Sequence, residues 1–275
     1  MPDQVVLTRK VSFSAGHRYW LAGLSEEENR KVFGRWASPW NHGHNYVLWV
    51  SASGLVDSTN GMVVNIKWID DDLQRKVVDV FDQRSINDEV PAFVGQVPCV
   101  ENLLIYFVEA LQPLPGGVEL TGLKLEETPL FYGEWSREEP MLSVTRTYEF
   151  AAAHRLDVPA LARDENIRLF GKCNNPNGHG HNYVLEVTVK GEPDPVTGFV
   201  ASLDELDQVV QQEVLERYDH KNLDVDVQEL IGRNTTSEVV AMAIFDRLKV
   251  SLGPKLKRVR LFETARNMFE VSSVD

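Results

Sequence analysis

The chain has 275 residues, 43% hydrophobic and 25% charged, with a formal net charge of −13 at pH 7. This fits a folded globular protein of one large or two ordinary domains and makes the chain a poor candidate for a nucleic-acid or anionic-membrane partner, both of which need clustered Lys and Arg. Two cysteines exclude a disulfide scaffold, and no apolar run reaches signal-peptide or membrane-helix length, so a soluble, cytoplasmic protein is expected.

The elements come in two series. VVLTRKVSFSAGH and HNYVLWVSAS read as strands, being rich in β-branched and aromatic residues. A helix follows, with Ile66, Ile69, Leu73, Val77 and Val80 at helical spacing. VENLLIYFVEAL predicts a second helix, and strands around LKLEE close the series. MLSVTRTYEFAAAH, HNYVLEVTVK, a helix carrying Leu203, Leu206, Val210 and Val214, TSEVVAMAIFDRL and VRLFE then repeat the order. Each series is β-β-α-α-β-β, an α+β unit whose antiparallel four-stranded sheet carries two helices on one face.

Self-comparison explains the repetition. His17 and His154, His42 and His179, and His44 and His181 are all 137 residues apart. The same offset pairs Phe13 with Phe150, Asp57 with Asp194, Gly61 with Gly198, Asp82 with Asp219 and Glu101 with Glu238. Near the end the register slips by one, pairing Glu127 with Glu263. The chain is therefore read as two tandem domains, 1–137 and 138–275, joined near the polar EWSREEP at residues 134–140. Open sheet edges in such units predict homo-oligomerisation.

Six of the seven histidines fall into matched triplets, His17, His42 and His44, and His154, His179 and His181. In His-Gly-His the imidazoles share one face of a strand, and the third sits at the end of the preceding strand. Three neutral imidazoles suit Zn2+ with its fourth position open. The alternative is chance His-x-His spacing with a core histidine. The seventh histidine, His220, follows Asp219 and pairs with Gln83, while Cys173 pairs with Trp36. Only the second series thus holds a thiol with a histidine and carboxylate able to manage its proton. The alternatives are an ordinary buried thiol and a helix-end turn. Glu127 and Glu263, on closing strands, can accept N–H donors from a flat heterocycle, or be solvated edge residues. Glu101 and Glu238 read as helix caps, Thr235 and Glu238 having capping-box spacing.

FAAAHRL, CNNPNGHGHNY, YDHKNLD and LFET together resemble the 6-pyruvoyltetrahydropterin synthase family, whose wider group includes the 6-carboxytetrahydropterin synthases of the 7-deazaguanine (queuosine) pathway. The resemblance covers the second series fully and the first more weakly. It implies the T-fold, also called the tunnelling fold, assembled through sheet edges, and a carbon–oxygen lyase acting on 7,8-dihydroneopterin triphosphate. By the resemblance, His154, His179 and His181 hold zinc, Cys173 is the base, Asp219 and His220 relay protons, and Glu263 anchors the pterin. His17, His42, His44 and Glu127 match the zinc and pterin positions of a first domain that has lost its base and relay. Five residues separate Cys173 from His179, as in the pyruvoyl-forming enzymes of tetrahydrobiopterin synthesis. A carboxy-forming enzyme, a non-catalytic pterin- or metal-binding protein and a zinc hydrolase are the competing readings. Family assembly implies sites between subunits, hence a trimer of tandem chains forming a pseudo-hexamer with one active and one silent ring.

Overall fold

The computed structural model describes residues 4–273. The chain divides into two compact units, residues 1–144 with 190–204, and residues 145–189 with 205–275. The units depart from the 137-residue repeat at two places, because residues 138–144 and segment 190–204 both lie in the first unit.

In the first unit the strands lie in the sheet order Arg84–Ser85 (β3), Gln4–His17 (β1), His42–Leu55 (β2), Glu119–Thr128 (β4) and Phe131–Ser136 (β5). Strands β1 (Gln4–His17) and β2 (His42–Leu55) pair antiparallel without a break, from Gln4 opposite Leu55 to His17 opposite His42. Strand β4 (Glu119–Thr128) joins β2, and β5 (Phe131–Ser136) joins β4. Alternation puts Phe13, Ala15 and His17 of β1 and Tyr46, Leu48 and Val50 of β2 in the core. The rings of Phe13 and Tyr46 stack 5.0 Å apart, and Phe81 and Phe107 close on Phe13 at 5.5 and 6.1 Å. Burial of side chains of this size stabilises by roughly 1.5–3 kcal/mol each.

Three features differ from the expected β-β-α-α-β-β unit. The sheet is mixed, because the two-residue strand β3 (Arg84–Ser85) runs parallel to β1. A helix the periodicity did not indicate, Glu26–Phe33, stands between β1 and β2, started by a capping box of Ser25 and Glu28. The expected helical stripe also changes phase. A π-helical turn at Gln74–Val78 follows helix Ile66–Leu73, so Phe81 takes the core position expected of Val80, while Ile69, Leu73 and Val77 are buried as expected.

The second unit repeats the plan. Its strands are β6 (Leu142–His154), β7 (His179–Gly191), β9 (Leu256–Thr264) and β10 (Asn267–Ser272) in that order, with β8 (Lys221–Asn222) parallel to β6. Phe150 and Tyr183 stack at 5.0 Å, as Phe13 and Tyr46 do. Helices Arg163–Phe170, Leu203–Val210 and Ser237–Leu252 complete the repeat, again with a π-helical turn, at Gln211–Leu215. Among the described residues no helix is long and apolar enough to cross a membrane. The expected joint at 134–140 is partly strand, since β5 runs to Ser136.

Candidate metal and catalytic site

Strand pairing assembles each histidine triplet. His17 lies opposite His42 at the end of the β1–β2 ladder, and His44 is two residues on, on the same face. The three ring centres stand 4.5 to 5.0 Å apart. In the second unit His154, His179 and His181 stand 4.6 to 5.3 Å apart. In each triplet one ligating atom per histidine can be chosen so that all lie within 4.8 Å of one another.

The buried member of each triplet is oriented by the backbone. The Nδ1 of His17 lies 2.9 Å from the Pro98 carbonyl oxygen, and that of His154 lies 2.7 Å from the Thr235 carbonyl oxygen. A carbonyl only accepts, so Nδ1 carries the proton and Nε2 presents its lone pair to the site. Nε2 of His17, His44, His154 and His181 is buried without a hydrogen-bond partner. Desolvation holds the pKa of His17 near 3 and of His44 near 4, and lowers those of His42, His179 and His181. Neutral imidazoles with unpartnered, converging nitrogens are the donor set a divalent metal needs. Both triplets fit one.

A glutamate faces each triplet, held differently in the two units. Glu263 Oε1 accepts from the Ser237 hydroxyl at 2.7 Å, and Oε2 accepts from the Asn267 amide at 2.8 Å. It lies 3.8 Å from Nε2 of both His154 and His181. Burial works to raise its pKa, but the two hydrogen bonds and the neighbouring imidazoles hold it below the usual carboxylate range. Glu127 lies 3.8 and 3.6 Å from Nε2 of His17 and His44, and accepts from the Tyr19 hydroxyl at 3.2 Å. Burial, with Glu127 beside it, pushes the Tyr19 phenol well above its usual range, so Tyr19 is the donor. Tyr19, Ser237 and Asn267 were not singled out from the sequence. Aligning the repeats does not single them out, because Val100 and Phe131 replace Ser237 and Asn267, and Leu156 replaces Tyr19.

Cys173 sits half-buried in a turn of 3-10 helix, Gly171–Asn174. Its carbonyl accepts from Leu156 N–H at 2.9 Å, and Asn174 ties the turn to Leu156 and Asp157. Asp219 Oδ1 accepts from Ala151 N–H at 2.8 Å, and its Oδ2 lies 2.9 Å from His220 Nδ1. The Ala151 bond, then His220, lowers the Asp219 pKa. His220 has φ 57° and Gln83 has φ 58°, so the strained turn persists where the imidazole is lost. His220 and His181 border an open depression of about 580 Å³, whose lining does not include Cys173.

The expected capping role of Glu101 and Glu238 is not what the structure shows. Cys99 and Thr236 are the N-caps, and the Thr235 hydroxyl donates to Asp224 at 2.5 Å instead. Glu101 is fully buried and Glu238 is exposed.

A sequence model described as 6-pyruvoyl tetrahydropterin synthase matches the chain twice, over residues 6–138 and 143–273. The human 6-pyruvoyl tetrahydrobiopterin synthase is 47% identical over 126 residues, 46% of this chain and 87% of that protein. A 6-carboxy-5,6,7,8-tetrahydropterin synthase from Rickettsia conorii is 26% identical over 140 residues, 44% of this chain and 93% of that protein. The solved Caenorhabditis elegans 6-pyruvoyl tetrahydropterin synthase superposes with a TM-score of 0.47 at 42% identity, covering 49% of this chain and 97% of that one.

Proposed function

The chain belongs to the 6-pyruvoyl tetrahydropterin synthase family, and on that footing we propose that it converts 7,8-dihydroneopterin triphosphate to 6-pyruvoyltetrahydropterin with elimination of triphosphate, using zinc. The observation that carries this reading is the asymmetry of the repeats. Both keep converging imidazoles, a glutamate and the aspartate pair Asp82 and Asp219, but only the second has Cys173 and His220 where the first has Trp36 and Gln83.

In this reading His154, His179 and His181 hold the zinc, which when bound supplies a Lewis acid that makes the neighbouring C–H bond of the substrate more acidic. Glu263, kept ionised and aimed by Ser237 and Asn267, accepts the N–H donors of the pterin edge. Cys173, as the general base, removes that proton from the substrate, and His220, steadied by Asp219, carries protons to and from the reacting carbons. Triphosphate leaves with the electron pair of its C–O bond, and tautomerisation moves hydrogen within the substrate, so no external reductant enters. His17, His42 and His44 hold a second metal in the first repeat, where Glu127 is engaged by Tyr19. The assembly is a homo-oligomer, three chains supplying six repeats, in the cytoplasm. Two free thiols, Cys99 and Cys173, support a reducing setting.

The experiment is an anaerobic incubation of zinc-loaded protein with 7,8-dihydroneopterin triphosphate, with products identified by mass. Triphosphate release with the three-carbon substituent retained is expected. Loss of that substituent as a two-carbon aldehyde would assign the carboxy-forming reaction instead. The relatives named as pyruvoyl-forming, at 41–47% identity against 26%, favour the first outcome.

A further inference from the structure

The two matched glutamates Glu101 and Glu238 sit in opposite environments. Glu101 is 0% exposed, and its Oε1 accepts from Val200 N–H at 2.9 Å. Val200 belongs to the segment 190–204 that packs within the first unit. Beside it, Phe199 stands edge-on to Tyr19 and Phe33 at 5.3 and 6.0 Å. Gly198 approaches so closely that a Cβ there would fall 2.2 Å from the Asn102 amide. One short turn of the second repeat thus caps a carboxylate and fills an apolar pocket of the first.

The converse contact is missing within one molecule. Glu238 is exposed, and among the described residues no hydrogen bond or ion pair engages its carboxylate. Leu156 and Phe170, at the positions of Tyr19 and Phe33, are only half-buried. The turn that would match Gly198–Val200 is Gly61–Val63. Met62 is 45% exposed, and a Cβ on Gly61 would meet nothing within 4 Å.

That free turn already has the docked shape. Gly61 has φ +72° and Gly198 φ +79°. Gly61 N–H donates to Asp57 O at 2.8 Å, as Gly198 N–H does to Asp194 O at 2.7 Å. Asp57 N–H donates to Met62 O at 2.9 Å, as Asp194 N–H does to Phe199 O at 2.9 Å. The turn is therefore preorganised, and docking it orders little further backbone.

We propose that the Gly61–Val63 turn of a second copy of this chain docks on the second repeat, with Val63 N–H capping Glu238 and Met62 seated on Leu156 and Phe170. The second repeat of one molecule is then bordered by the first repeat of its neighbour. The contact is heterologous, joining unlike repeats of neighbouring molecules. It rests on the carboxylate and the apolar pocket. The Arg35–Asp204 ion pair that accompanies the Glu101 contact has no match, since Lys172 and Lys67 stand at those positions.

The test places a photoreactive benzophenone amino acid at position 62 in an equal mixture of 15N-labelled and unlabelled full-length protein. Crosslinks joining light to heavy molecules, mapped to peptides containing Leu156, Phe170 or Glu238, are expected. Crosslinks confined to one molecule or to other segments, or a protein that is monomeric by native mass spectrometry, would overturn the proposal. As a second measurement, Met62→Asp, an exposed position that leaves folding intact by circular dichroism, is expected to raise the dissociation constant of the assembly at least tenfold. An unchanged constant would equally overturn it. Neither readout depends on turnover, so failure here is separable from failure of the proposed reaction.

Discussion

Ser237 holds Glu263: its hydroxyl donates to Oε1 at 2.7 Å, and Asn267 fixes Oε2 at 2.8 Å, leaving the carboxylate 3.8 Å from two histidine Nε2 atoms. Replacing the carboxylate by an amide removes the charge but keeps the shape. Glu263→Gln is therefore expected to lower kcat/KM about a hundredfold, since hydrogen bonds to a charged group contribute about 1.5–3 kcal/mol. Ser237→Ala leaves the charge and loses the aim, so a smaller loss confined mainly to KM is expected. Steady-state kinetics on the two variants distinguishes the effects, and equal losses would remove Glu263 from the substrate site.

The paired triplets predict two metals per protein molecule by elemental analysis of material purified without chelator. His154→Ala is expected to leave one metal and abolish turnover. His17→Ala is expected to leave one metal and preserve most turnover, because the first repeat lacks Cys173 and His220 counterparts. A wild-type content of one metal, unaltered by His17→Ala, would make the first triplet a packing cluster only.

The histidine triplets were legible because their spacing recurs at 137 residues, and strand alternation then dictates one shared face. The glutamates' supports were not, because Ser237 and Tyr19 act from different elements in the two repeats and leave no common motif. The match to Glu238, which has capping-box spacing from Thr235, misled at Glu101. Local pattern assigned it to the helix start, while a distant turn, Val200, takes its carboxylate. The π-helical turns were illegible for a similar reason. The periodic residues fit an ordinary helix until Phe81 and Tyr218 show where the stripe shifts.

Glu101 predicts a pH dependence of stability. Burial raises its pKa from 4.5 to about 7. The unfolded carboxyl ionises first, so the unfolded state loses its proton between pH 4.5 and 7 while the folded state keeps it. Stability from this group is therefore full below pH 4.5 and is lost as pH rises towards 7, by roughly 3 kcal/mol. Urea denaturation of wild type and Glu101→Gln across this range checks it. The slope difference between the two curves should confine itself to that window, and parallel curves would show that Glu101 ionises normally.

Cys173 and His220 supply the last prediction. Each is expected to be indispensable, with Cys173→Ala and His220→Gln lowering kcat by about 10² to 10⁴, the usual range for acid–base groups. Yet His220 lines an open depression that Cys173 does not border, and its imidazole is 82% exposed. An exposed relay needs a neighbour to bury it. If the thiol and imidazole of one working site come from different molecules, the two inactive variants complement each other. Co-folded in equal amounts, they are expected to regain about one quarter of wild-type activity, the fraction of sites that draw both intact groups at random from a closed oligomer. Variants that stay inactive when mixed would place both groups of each site on one molecule, and would require a movement of the Gly171–Asn174 turn to bring Cys173 to the imidazole.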